Sequence, residues 1–128
     1  IEQSLTDVAG EPVEVLFTPH LIPMTRGVLA TIYCRGRATT ADCLDAARLF
    51  YAGRPFVRVT DKPPQTKWAT GSNLAFVSYA ADPERNLVIA MGVVDNLGKG
   101  AAGQAVQNMN LMFGLPESMG LNQVAILP

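Results

Sequence analysis

The stretch DNLGKGAAGQAVQNMN, residues 95–110, spaces Gly98, Gly100 and Gly103 as G-x-G-x-x-G. A dinucleotide-binding turn of that spacing works only between a strand and a helix that lead on to a second parallel strand with an acidic residue for the ribose. The apolar run 87–94 stands before it and a helical pattern follows, yet only 25 residues remain after Gly103. A nucleotide domain cannot be completed in that length. The P-loop pattern fails as well, because Lys99 is followed by Gly100 and not by a hydroxyl residue. Two readings stay open for the glycines. Small residues let a helix start approach another backbone closely. Free N–H groups at that start, with Asn96 before them and Lys99 beside them, also form a candidate seat for an anion or an amide.

At 128 residues the chain is read as one domain, 1–128. It opens on Ile1 and helical-looking residues with no basic flank before an apolar run, so it reads as a piece of a longer protein with no targeting segment. The longest apolar run, Leu87–Val94, is too short for a bilayer, and no membrane partner is expected. Ten basic against eleven acidic residues, with no basic cluster, argue against nucleic acid. Cys34 and Cys43 lie in neither a redox nor a zinc spacing; both read as small core residues, and no metal site is expected.

Along the chain, residues 1–8 read as the end of a helix, and Gly10 and Pro12 break it. Val13, Val15 and Phe17 then alternate as in a strand. Residues 27–35 form a second strand, expected to be central because both of its faces are largely apolar. Thr39 and Asp42 suggest a capping box for a helix over residues 40–52, with Leu44, Ala47 and Phe50 or Tyr51 inward and Gly53 as its stop. Asp42 and Asp45, one turn apart on that helix, read as a solvated face more readily than as an acid/base pair.

Residues 56–60 form a short strand, and residues 61–73 a polar loop too long for a simple connector. Residues 74–79 and 86–94 form an antiparallel hairpin through AADPER, its second strand apolar enough to be buried on both faces. The last helix puts Ala102, Ala105 or Val106, Met109 and Met112 or Phe113 on one side and ends at Gly114; a short strand over 123–127 closes the chain. The economical arrangement is α+β, a mixed and mainly antiparallel sheet with helices on one face.

FTPHLIPMTRGVLATIY, GSN at 71–73 and VDNLGKGAAGQAVQNMNLMFGLPESMGL together resemble the carboxyl-terminal part of N-acetyl-γ-glutamyl-phosphate reductase, over essentially the whole chain. A shorter DNLxKGAA pattern resembles aspartate-semialdehyde dehydrogenase, a sister family, disfavoured by the GQAVQNMN continuation. A stand-alone assembly module is the reading from a different class. The resemblance implies a carboxyl-terminal domain like that of glyceraldehyde phosphate dehydrogenase-type enzymes. It also implies NADPH-dependent reduction of an acyl phosphate to an aldehyde through a cysteine thioester in a cytoplasmic enzyme of arginine biosynthesis. The family's Gly-Cys-Tyr-Pro nucleophile motif and its His-x-Pro-Glu motif, which runs into residues like IEQ, have no counterpart in this chain. No catalytic residue is therefore assigned here, and the chain alone is expected to be inactive.

By the same resemblance Asn96, Lys99 and Gly100 face the NADP nicotinamide in the intact enzyme, and Asn73 lines the pocket for N-acetyl-glutamyl phosphate. His20, between Pro19 and Pro23, suits a substrate-contacting or structural role better than catalysis. Arg26 offers a fork for the substrate's carboxylate or phosphate, with a surface ion pair as the equal alternative. The segment from about residue 100 to 128 would pack back on the missing nucleotide domain. Pairing through strands 27–35 and 87–94 would make a homodimer or a tetramer.

Overall fold

The structure, a computed structural model, describes residues 1–125. Four strands form one mixed sheet, in the order β1-β4-β3-β2: β1 Val28–Arg35, β2 Val57–Val59, β3 Ala75–Asp82 and β4 Leu87–Val94. β4 pairs antiparallel along its whole length with β1 on one side, from Val28 opposite Val94 to Arg35 opposite Leu87. It pairs the same way with β3 on the other. Only β2 and β3 run parallel. The mainly antiparallel α+β architecture is thus the one the patterning suggests.

Among the described residues three α-helices accompany the sheet: α1 Glu2–Ala9, α2 Thr40–Phe50 and α3 Gly103–Met112. α2 starts at the capping box, Thr39 Oγ1 accepting from the Asp42 N–H at 3.1 Å while Asp42 Oδ2 accepts from the Thr39 N–H at 2.9 Å. Those bonds, from the Thr39 side chain first, hold the Asp42 carboxyl below the usual aspartate range. α2 buries Leu44 and Ala47 against the sheet, with Phe50 exposed. Asp45 pairs with Arg48 at 2.8 Å on its outer face, the solvated arrangement expected there. The opposite face of the sheet receives Trp68, edge-on to Phe76 with centroids 5.7 Å apart, from a 3-10 turn at Thr66–Trp68 inside the long loop. No helix among the described residues is long and apolar enough to cross a membrane.

Several local expectations change. Residues 13–17 form no strand. The Val13 N–H donates to Thr6 Oγ1 at 3.0 Å and the Val15 N–H to Glu2 Oε1 at 2.8 Å, so α1 side chains take the donors a ladder would need. β1 is an edge strand with all eight residues exposed, so Cys34 is exposed, not a core residue. β4 is one of the two central strands, but only Val93 on it is buried. Position in the ladder and burial have separated, because this chain supplies too few layers to cover both faces. The expected last strand lies partly outside the described residues, and residues 123–125 carry none.

A compact monomer of this mass exposes about 6,600 Å², whereas this chain exposes 9125 Å². Leu29, Tyr33, Met109, Met112 and Phe113 are among the large apolar side chains left open.

Candidate functional site

The best-buried cluster in the molecule is polar. Asn73, Asn110, Asp95, Ser72 and Ser78 stand with Val93 as the largest fully buried side chains. Most of them gather where β4 ends and the chain turns into α3. Asp95 follows β4 directly and is completely buried. Its Oδ1 accepts the Leu97 N–H at 2.9 Å and the Gly98 N–H at 3.4 Å, as a helix cap does, and the Arg26 Nε at 2.9 Å. Its Oδ2 accepts the Gly71 N–H. One carboxylate therefore ties three segments together: the approach to β1, the turn before β3 and the start of the last helix. Burial pushes the Asp95 carboxyl upward, but Arg26 and the three backbone donors outweigh it and hold the group below the usual aspartate range.

The next residue does the same for the backbone. Asn96 Oδ1 accepts the Gly27 N–H at 2.8 Å, fixing the main chain beside Arg26. The helix then enters through a π-turn, Gly98–Ala102, in which the Gly100 N–H donates to the Asp95 carbonyl at 2.7 Å. The N–H groups of residues 97, 98 and 100 are thus engaged within the chain. A Cβ on Gly100 would lie 3.0 Å from the Asp95 carbonyl oxygen, and one on Gly103 only 2.2 Å from Asn73 Oδ1. Close backbone approach, the blander of the two readings, accounts for these glycines.

A second group centres on Gln107. Its Oε1 accepts Asn73 Nδ2 at 3.0 Å and Lys99 Nζ, and its Nε2 donates to Glu117 Oε1 at 2.6 Å. Burial holds the Lys99 ammonium below the usual lysine range, partly countered by Glu117. The same ammonium lies 5.7 Å from the Phe56 ring centroid.

Of the residues singled out from the sequence, Arg26 and Asn96 therefore meet at the Asp95 junction, and Asn73 and Lys99 meet at Gln107. Gly100 packs on the Asp95 carbonyl. His20 joins neither group; its Nδ1 lies 3.1 Å from the Thr18 carbonyl on an exposed stretch. Asp95 and Gln107 were missed. Asp95 had a readable signal, an acidic residue placed to cap the helix that follows an apolar strand. Gln107 had one too: Gly103, Gln107 and Asn110 recur at helical spacing, and this small and polar stripe faces inward, opposite to an apolar one. Among the described residues, no group of three or more His, Cys, Asp or Glu could hold a metal ion.

Residues 1–96 match the family model described as semialdehyde dehydrogenase, dimerisation domain. Proteins named N-acetyl-gamma-glutamyl-phosphate reductase are close in sequence. One from a Methylobacterium species is 80% identical over 93% of this chain, which covers 37% of that protein. One from a Bradyrhizobium strain is 74% identical over the whole chain and 40% of its own length. One from Symbiobacterium thermophilum is 55% identical over 94% of the chain and 36% of its own. The chain thus spans less than half the length of these relatives. By the match over three-quarters of its residues, it belongs to the semialdehyde dehydrogenase dimerisation-domain family.

Proposed function

We propose that this chain is the substrate-binding and subunit-pairing half of an NADP-dependent N-acetyl-γ-glutamyl-phosphate reductase, a cytoplasmic enzyme of arginine biosynthesis. The observation that carries the reading is the 74% identity, end to end, with a protein of that name. The Asp95 and Gln107 junctions support it physically, because they hold the candidate residues on fixed backbone. Rigid placement is what a site needs.

In this reading Arg26 binds an anionic group of N-acetyl-glutamyl phosphate, and His20 reaches the substrate from the exposed stretch. Asn73 braces the wall of that pocket. NADPH, when bound, supplies the hydride. The turn at residues 97–100 does not fit its pyrophosphate, because Asp95 already takes the N–H groups of Leu97, Gly98 and Gly100. Asn96 does fit the nicotinamide end: its Oδ1 is engaged, and its Nδ2 donors have no partner among the described residues. Lys99 and Gly100 border that position. The nucleophilic thiolate is not assigned to Cys34 or Cys43.

The exposed surface supports pairing with a second copy. The excess over a compact monomer is about 2,500 Å², the area that subunit interfaces cover. Part of it, the β1 and β4 face with Leu29, Tyr33, Ile89 and Met91, pairs the subunits. Another part, the α3 stripe of Met109, Met112 and Phe113, packs on the nucleotide domain.

The test is an NADP-linked assay of the full-length protein and of this chain. The full-length protein is expected to oxidise N-acetylglutamate semialdehyde in the presence of phosphate, with aspartate semialdehyde a poor substrate; the reverse preference would shift the reading to the sister enzyme. This chain alone is expected to show no turnover. Turnover that one cysteine substitution abolishes would place the nucleophile in it.

A further inference from the structure

Arg26 and Asp95 meet by one nitrogen only. A carboxylate that neutralises an arginine fully takes two parallel N–H bonds. Here Asp95 cannot, because its Oδ2 is committed to the Gly71 N–H and its Oδ1, besides Nε, serves Leu97 and Gly98. The Arg26 side chain is 37% exposed, and neither Nη nitrogen has a hydrogen-bond partner among the described residues. The backbone beside it is pinned as well, through Asn96 and the Gly27 N–H. Two consecutive residues at the end of β4 thus fix both the main chain and the inner edge of one arginine.

We propose that Asp95 is the positioning residue for Arg26: it grips Nε and presents the Nη1–Nη2 edge outward as a two-pronged seat for a carboxylate or phosphate group of the substrate. This rests on the reductase reading above. The pairing has a stated purpose in that reading. A guanidinium free to rotate loses side-chain entropy each time it binds, whereas one already held by Nε has only its outer edge to fill. The seat recognises a planar or tetrahedral pair of anionic oxygens, which the substrate carries both at its carboxylate and at its phosphate.

The experiment uses the full-length protein in the oxidative direction, where phosphate and N-acetylglutamate semialdehyde are separate substrates. Arg26→Lys keeps the charge and loses the fork. It is expected to raise one KM by roughly tenfold, the size of one charge-assisted bond, with kcat within about threefold. A raised phosphate KM assigns the seat to the phosphate, and a raised semialdehyde KM to the carboxylate. Asp95→Ser, which keeps a cap for residues 97 and 98, should raise the same KM. In Arg26→Ala, added guanidinium should restore activity several-fold, and Arg26→Ala/Asp95→Ser should show no such rescue. An unmoved KM in Arg26→Lys, or equal rescue with and without Asp95, overturns the positioning role while the reductase reading stands. A full-length protein without semialdehyde turnover overturns both.

Discussion

Asn73 Nδ2 donates to Gln107 Oε1 at 3.0 Å, a buried bond between the turn before β3 and the second turn of α3. It leaves Asn73 Oδ1 without a partner and pressed against Gly103, where a Cβ would lie 2.2 Å away. The same Cβ would meet the Gly98 carbonyl oxygen at 2.9 Å, and that backbone cannot swing aside. Gly103→Ala should therefore lower stability by about 1–2 kcal/mol: overpacking costs about 1–3, and the better helix propensity of alanine returns up to about 1. Asn108→Ala, on the exposed side of α3, should stay within about 0.5 kcal/mol. Urea unfolding of the two variants checks the contrast, and a neutral Gly103→Ala would mean that the turn and helix are not held this closely.

Removing the buried carboxylate should be more costly. Asp95→Ala strands the N–H groups of Gly71, Leu97 and Gly98, each worth about 1–3 kcal/mol when buried without a partner. Arg26 is over a third exposed and rehydrates, so its loss adds little. A fall of about 3 kcal/mol or more is expected by urea titration. A change under 1 kcal/mol would show that water reaches this junction freely.

The same group gives a pH signature. Its folded-state carboxyl titrates below the unfolded one, so its contribution is fully present above about pH 4, the ordinary aspartate value. It is lost as pH falls through the lower, folded value. Unfolding free energies between pH 6 and pH 3 should decline more steeply in the wild type than in Asp95→Asn. Parallel curves would assign the acid sensitivity to other carboxyls.

Lys99 and Asn96 should separate function from stability. Gln107 Oε1 keeps Asn73 as a donor when Lys99 is removed, so no buried acceptor is orphaned. Loss of Asn96 frees one part-buried Gly27 N–H. Each alanine variant should lose no more than about 1–2 kcal/mol, while catalytic efficiency of the full-length protein falls by more than tenfold. Wild-type kinetics with a large drop in Tm would make both residues structural.

Association is the fifth expectation. Tyr33 is 70% exposed and shares a sheet face with Leu29 and, across the ladder, Ile89. Light scattering on a size-exclusion column should find the chain at least dimeric at micromolar concentration. Tyr33→Asp, which puts a charge in the apolar contact, should shift it toward monomer without unfolding it. A wild-type monomer across the dilution series would rule out pairing through this face.

Local chemistry wrote part of this structure directly into the sequence. The Thr39 and Asp42 capping box, the Asp82–Pro83 turn that reverses β3 into β4, and the glycine stops of α1 and α3 depend on neighbours a few residues away, so spacing alone marks them, whereas α2 ends at Phe50 with Tyr51 as its cap, short of Gly53. Arg26, Asn96 and Lys99 were legible as polar residues beside breaks in apolar patterning, and Asn73 only through the family resemblance. Their partners were not. Asp95 meets Arg26 across 69 residues and Gln107 meets Asn73 across 34, and no local rule carries such a pairing. Edge or centre was equally invisible: β1 and β4 are both apolar on two faces, and only the register shows that β4 has two neighbours and β1 one. Apolar patterning records what a strand is suited to bury, whereas burial itself depends on which layers are present to cover it.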